Sequence, residues 1–202
     1  MSRATFVSSS AAETRELGRT MAEALEPGDT LVLTGDLGAG KTQLTKGIAE
    51  GLGVEGEVTS PTFALEAVHG GGRMPLYHFD LYRLHDADEL GDAGVWDVLG
   101  TDGACVFEWG EQFADELGDE RVDVLITREE DGGAVGAVGI EGPSDGAGPS
   151  DDAADKTLHD AACPGDAASE AEPVRRIELV SHEARGDAFV AAVARARGAE
   201  LG

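Results

Sequence analysis

An α/β domain, its sheet sandwiched between helices, is the fold class the sequence predicts, and three observations predict it. Two five-residue runs, Thr30-Leu-Val-Leu-Thr34 and Ala104-Cys-Val-Phe-Glu108, are nearly all apolar, as strands covered on both faces are. Segments whose apolar residues recur at helical spacing alternate with them. A glycine-rich turn joins the first run to the helix that follows it.

The elements are justified in chain order. Ser10 precedes a helical segment, and Glu13 falls at the spacing of a capping box. Leu17, Met21, Ala24 and Leu25 give that segment an apolar face, and Pro27-Gly28 stops it. Thr30–Thr34 is the first strand, and Lys41–Leu52 reads as the second helix. Leu65–Val68 and Pro75–Leu81 flank Gly70-Gly71-Gly72 and predict a hairpin. Ala87–Leu99 predicts one or two short helices, and Ala104–Glu108 is a strand that ends in an acid. Val122–Thr127 is a further strand, with Arg175–Val180 as its partner across an insertion; Asp187–Arg197 is the last helix. Residues 1–130 and 174–202 therefore read as one domain.

The insertion, residues 131–173, holds ten acids, one base (Lys156) and no aromatic residue. Such a stretch buries too little apolar surface to offset the entropy of ordering it. It is predicted to be largely disordered, with Pro143–Glu172 as its centre. An acidic interaction tail or a metal-collecting segment is the functional alternative.

The chain has 202 residues, 15 basic against 40 acidic, and a net charge of -25. Only Lys41, Lys46 and Lys156 are lysines. A phosphate backbone or an anionic lipid surface calls for clustered bases, so neither is expected as the main direct partner. No apolar run approaches the ~20 residues of a membrane span, and MSRATFVSSS lacks the core of a signal peptide. Cys105 and Cys163 form no CxxC pair, which leaves neither a disulfide framework nor a zinc site. A cytoplasmic protein is expected.

Gly35-Asp36-Leu37-Gly38-Ala39-Gly40-Lys41-Thr42 matches GxxxxGK[ST] between a buried strand and a helix, the setting of a P-loop. Glycines let successive N–H groups face phosphate oxygens with no Cβ in the way. The helix start adds its positive end. Lys41 reaches the β/γ-phosphates, and the Thr42 hydroxyl ligates Mg²⁺. A second acid must hold the metal, and Glu108, closing an apolar strand, has that position. Asp80, in His78-Phe79-Asp80-Leu81-Tyr82-Arg83, can orient water for attack on the γ-phosphate or pair structurally with Arg83. The fold class is thus a P-loop NTPase-like α/β sheet. No NKxD-like guanine-reading motif is present, and the arginines show no dense lid.

Four segments together carry a resemblance: Gly35–Thr42, Ser60-Pro-Thr-Phe63, Tyr77-His-Phe-Asp-Leu-Tyr-Arg-Leu84 and Glu108-Trp109. In this order they resemble the TsaE family, the bacterial ATPases of tRNA threonylcarbamoyladenosine synthesis. The resemblance spans about residues 10–130 and resumes near Val174. It implies ATP and Mg²⁺ as cofactors, with Asp36, Leu37, Gly38, Ala39, Gly40, Lys41 and Thr42 around the phosphates. It implies that Thr42 and Glu108 share the metal, that Thr62 senses the γ-phosphate, and that Asp80 is a catalytic or coupling acid. Trp109 would lie beside the nucleotide; the plainer reading is a large core side chain. The implied partners are TsaD and TsaB, with tRNA reached only through that complex. Two departures stand out: Gln43, where the family often has a second Thr, and the acidic insertion. The rival readings are a small-molecule kinase on the same scaffold and a nucleotide-dependent binding module without turnover.

Overall fold

The computed structural model describes residues 1–129 and 172–202; the predicted disorder of the insertion falls on residues outside the described ones. The chain runs through β1 (Arg3–Ser8), α1 (Ala11–Ala24), β2 (Thr30–Thr34), α2 (Lys41–Leu52), β3 (Glu66–His69) and β4 (Leu76–Asp80). It continues through α3 (Glu89–Asp92), α4 (Val95–Val98), β5 (Ala104–Glu108), a 3-10 turn (Glu111–Phe113), α5 (Ala114–Leu117) and β6 (Val122–Glu129). After the insertion come β7 (Val174–Ser181) and α6 (Ala184–Arg197).

Among the described residues, the strands form one seven-stranded sheet in the order β1-β7-β6-β2-β5-β4-β3. Its centre, β6-β2-β5-β4, is parallel, while β1, β7 and β3 join antiparallel. The predicted hairpin is β3–β4, and the predicted partnership across the insertion is β6–β7. β1 is a strand that sequence reasoning passed over. Its alternation is plain once paired: Ala4, Phe6 and Ser8 are buried and Arg3 and Val7 are exposed.

Strand alternation divides the core between the two faces. Leu31 and Leu33 of β2 pack with Ala104 and Val106 of β5 beneath α1, α2 and α6. Val32, Cys105 and Phe107 point the other way, to Phe79, Leu90, Val95 and Leu117 under the short helices. Burial pushes the Cys105 thiol up to about 12, as suits a core side chain. α1 and α2 touch backbone to backbone: a Cβ on Gly47 would stand 2.1 Å from the Arg15 carbonyl oxygen. One on Gly18 would stand 2.4 Å from that of Leu44. Glycine is what permits this approach, and the approach holds the start of α2 against the sheet.

The same alternation positions chemistry. Leu76, His78 and Asp80 of β4 share a face, as do Ala104, Val106 and Glu108 of β5, with Asp80 and Glu108 directly in register. These two acids therefore stand side by side at the C-terminal ends of parallel strands, where open α/β sheets receive ligands. No helix among the described residues is long and apolar enough to cross a membrane.

Candidate functional site

β2 ends at Thr34, and the glycine loop carries the chain from there to α2. Gly35 has φ +152, and a Cβ there would lie 2.3 Å from the Ile126 carbonyl oxygen, so the turn needs glycine. Two arginines on β6 and β7 brace the loop from the sheet. Arg128 donates to the Gly38 carbonyl, and Arg175 Nε donates to the Ala39 carbonyl at 3.0 Å. They are register partners on adjacent strands. In the sequence Arg128 looks merely scattered and Arg175 only opens a strand; strand pairing brings both to the loop. No side chain caps α2, whose first turn opens at Gly40, so its leading N–H groups are available to an anion.

The loop borders a cavity of about 730 Å³ that gathers the predicted residues. Leu37, Gly38, Gly40, Lys41, Thr42, Thr62, Asp80, Glu108 and Trp109 all line it; Asp36 and Ala39 lie in the loop but not on the wall. Lys41 Nζ donates to the Gly35 and Asp36 carbonyls and stands 3.6 Å from the centre of the Trp109 ring. Burial pushes the Lys41 ammonium below the usual lysine range, while the charges of Glu108, Glu111, Asp80 and Asp36 pull it back up. Trp109 is no core side chain: it is half-buried, tilted against Tyr82 at 5.1 Å between ring centres. Its φ of 62 is unusual for a residue other than glycine and turns the indole from the end of β5 over Lys41.

The Thr42 hydroxyl lies 3.0 and 3.2 Å from the two oxygens of the Glu108 carboxylate. Glu108 is 3% exposed, too buried for an ordinary strand-end surface acid. His78 Nε2 lies 3.0 Å from Glu108 Oε1. A hydroxyl and a carboxylate at the head of an anion-ready helix are hard oxygen donors, which suit a Mg²⁺ that takes its remaining ligands from phosphate and water. The described residues hold no cluster of three or more His, Cys, Asp or Glu side chains that would cage a metal without such help.

Asp80 stands beside Glu108 on the neighbouring strand. Its Oδ2 accepts from the hydroxyls of Ser60 at 2.5 Å and Thr62 at 2.9 Å, and its Oδ1 accepts from the Tyr82 N–H at 3.2 Å. The alternative partner, Arg83, is not paired with it: that guanidinium lies 6.0 Å over the Phe63 ring. Gln43, the departure after the loop, accepts from Arg15 Nε at 2.8 Å and so ties α2 to α1. Ala11, Gln43, Glu172 and Arg175 line the cavity too, Arg175 from β7, which lies four places from β4 in the sheet. Glu172, placed by sequence reasoning in the insertion, accepts from the Ala11 N–H at the start of α1.

The sequence profile of the family described as threonylcarbamoyl adenosine biosynthesis protein TsaE matches residues 8–135. The chain belongs to the TsaE family. It is 50% identical over 117 residues to the tRNA threonylcarbamoyladenosine biosynthesis protein TsaE of Streptomyces coelicolor, covering 56% of this chain and 78% of that one. The TsaE protein of Bacillus subtilis is 43% identical over 119 residues, covering 59% of this chain and 74% of its own. That of Treponema pallidum is 44% identical over 126 residues, 62% of this chain and 93% of its own. The crystal structure of Bacillus subtilis YdiB superposes with a TM-score of 0.66 at 26% identity, covering 98% of each chain. Glycine loop, Ser60–Phe63 and the Asp80 and Glu108 strand ends all fall within the span that the TsaE profile matches.

Proposed function

We propose that this TsaE-family chain is a Mg²⁺-dependent P-loop ATPase that serves tRNA N6-threonylcarbamoyladenosine formation in the cytoplasm, working with TsaD and TsaB. The observation that carries the reading is the Thr42–Glu108 contact, 3.0 and 3.2 Å, at the uncapped head of α2. The names of its relatives supply the pathway.

Each residue then has a task. The loop from Asp36 to Thr42 receives the phosphates, and Lys41 leaves the Gly35 and Asp36 carbonyls to meet their charge. Thr42 and Glu108 hold Mg²⁺, which when bound offsets charge on the phosphate oxygens. Asp80 accepts a proton from, or orients, the attacking water. Thr62, hydrogen-bonded to Asp80, senses whether a γ-phosphate is present. Trp109 covers Lys41 at the edge of the phosphate site. Ala11, Gln43 and Arg175, which also line the cavity, would be available to the nucleoside. With net charge -25 the chain reaches tRNA through its partners rather than by gripping it.

Partner binding tests the reading. ATP-Mg²⁺ is expected to strengthen association with the TsaD–TsaB pair over ADP by about tenfold, within the usual range of coupling between sites. Equal affinity with ATP, ADP and no nucleotide contradicts it. So does phosphate transfer to a small acceptor, the mark of a kinase, or tight binding to free tRNA without the partners.

A further inference from the structure

We infer that His78 is a positioning residue for the metal-holding carboxylate: its Nε2–H fixes Glu108 so that the acid faces Thr42. The inference rests on the proposed metal role of Glu108. His78 is fully buried at mid-strand on β4, and its Nε2 lies 3.0 Å from Glu108 Oε1 across the β4–β5 ladder. Strand geometry makes the reach possible. His78 and Asp80 share a face, Asp80 is in register with Glu108, and His78 therefore approaches the glutamate diagonally from one step back.

The chemistry selects one tautomer. Among the described residues the buried His78 Nδ1 has no hydrogen-bond partner, so an N–H placed there would be stranded. The hydrogen belongs on Nε2, where it donates to a carboxylate, an acceptor of more than one bond. The nearby His69 offers no rescue: its ring centre is 6.1 Å away, and its own Nε2 lacks a partner among the described residues.

The glutamate needs this support. In the present geometry the Thr42 hydroxyl donates to both carboxylate oxygens. A hydroxyl that ligates a cation offers its lone pairs to the ion and turns its hydrogen elsewhere. Thr42 then holds Glu108 less, and the His78 N–H is the bond that remains on Oε1. Residues that orient a metal's ligands in this way typically contribute about 10–100-fold to metal affinity. The plainer view, a histidine that only fills space between strands, predicts a loss of stability with no change in metal binding.

The experiment follows Mn²⁺ binding to the full-length protein–ADP complex by electron paramagnetic resonance, with thermal melting alongside. His78→Leu is expected to weaken Mn²⁺ binding about 10–100-fold. His78→Gln places an amide N–H near the position of Nε2 and should return the affinity to within about threefold of wild type, as expected if the donor rather than the ring matters. If His78→Leu does not fold, His78→Asn, polar but too short to reach Glu108, takes its place with the same expected loss. Glu108→Gln in parallel separates the two claims. If it weakens Mn²⁺ while the His78 variants match wild type, the positioning role is overturned and the metal role stands. If Glu108→Gln itself binds Mn²⁺ like wild type, the metal reading falls and this inference with it. His78→Gln as weak as His78→Leu also overturns the proposal.

Discussion

On one side of the cavity the glycine loop is held by structure that cannot easily yield. Arg128 and Arg175 reach it from paired strands, Gly35 is pressed against Ile126, and α2 behind it is locked to α1 at Gly18 and Gly47. On the other side Ser60–Leu65 carries no strand pairing, and its Ser60 and Thr62 hydroxyls both hang on one atom, Asp80 Oδ2. Phe63 at its tip is 91% exposed. The difference teaches which wall binds and which wall responds. A preformed loop binds phosphate with little reorganisation. Ser60–Leu65 has a short backbone turn on Pro61 and one backbone bond from Asp80 to Leu65, but the Ser60 and Thr62 hydroxyls at the cavity depend on the Asp80 carboxylate, and so can rearrange with the ligand.

The largest effect should come from breaking the fixed wall. Lys41→Ala removes the loop's only cation, and ATP affinity measured by calorimetry should fall about 10–100-fold or more, the worth of a lost charge-assisted contact. A folded variant that binds like wild type would remove the P-loop reading. Next, Asp80→Asn attacks the anchor of the responsive wall. Single-turnover hydrolysis with TsaD and TsaB should drop by about 100-fold while ATP affinity stays within about threefold, because a positioned acid or base acts on the chemical step. Thr62→Ala removes one of Asp80's hydroxyl partners and should cost about fivefold in the ATP-over-ADP preference for the partners, the scale of a single hydrogen bond.

Gly47→Ala sharpens the contrast from behind the site. Its new Cβ would stand 2.1 Å from the Arg15 carbonyl oxygen, so the helices must part. Overpacking of this kind costs about 1–3 kcal/mol, visible as a lower melting temperature, with nucleotide affinity retained well below it. The smallest effect lies far from the cavity. Hydrogen bonds led by the Ser181 hydroxyl hold the Asp187 carboxyl at about 2, against 3.8 ordinarily. A lowered acid stabilises the fold above its ordinary pKa, and that contribution fades as pH falls from about 4 to about 2. Asp187→Asn should flatten the acid limb of a stability–pH curve there and leave neutral-pH hydrolysis unchanged.

Much of this is legible in the sequence. The buried strands, the glycine loop and the acid at the end of β5 are local patterns, and each residue type states its own chemistry. Asp80 is ambiguous in the sequence because Arg83, three residues along, is an available partner; the chain turns after β4 ends at Asp80, and Arg83 goes to the Phe63 ring instead. The bracing arginines and the His78–Glu108 contact were invisible for a different reason: residues 128 and 175 meet only through the β6–β7 ladder, and 78 and 108 only through β4–β5. β1 escaped notice because six alternating residues ahead of a serine run give a weak signal until β7 pairs with them. Long-range pairing carries no local mark.

Amide hydrogen exchange with Mg²⁺-ATP analogue or Mg²⁺-ADP bound compares the two walls in one measurement. The amides of Gly38–Thr42 should be protected to a similar degree by both nucleotides, because the fixed wall holds the phosphates they share. Those of Ser60–Leu65 should slow by about tenfold more with the triphosphate, the scale of one discriminating contact. Equal protection of Ser60–Leu65 by both nucleotides, or no protection of Gly38–Thr42 by either, would contradict the account.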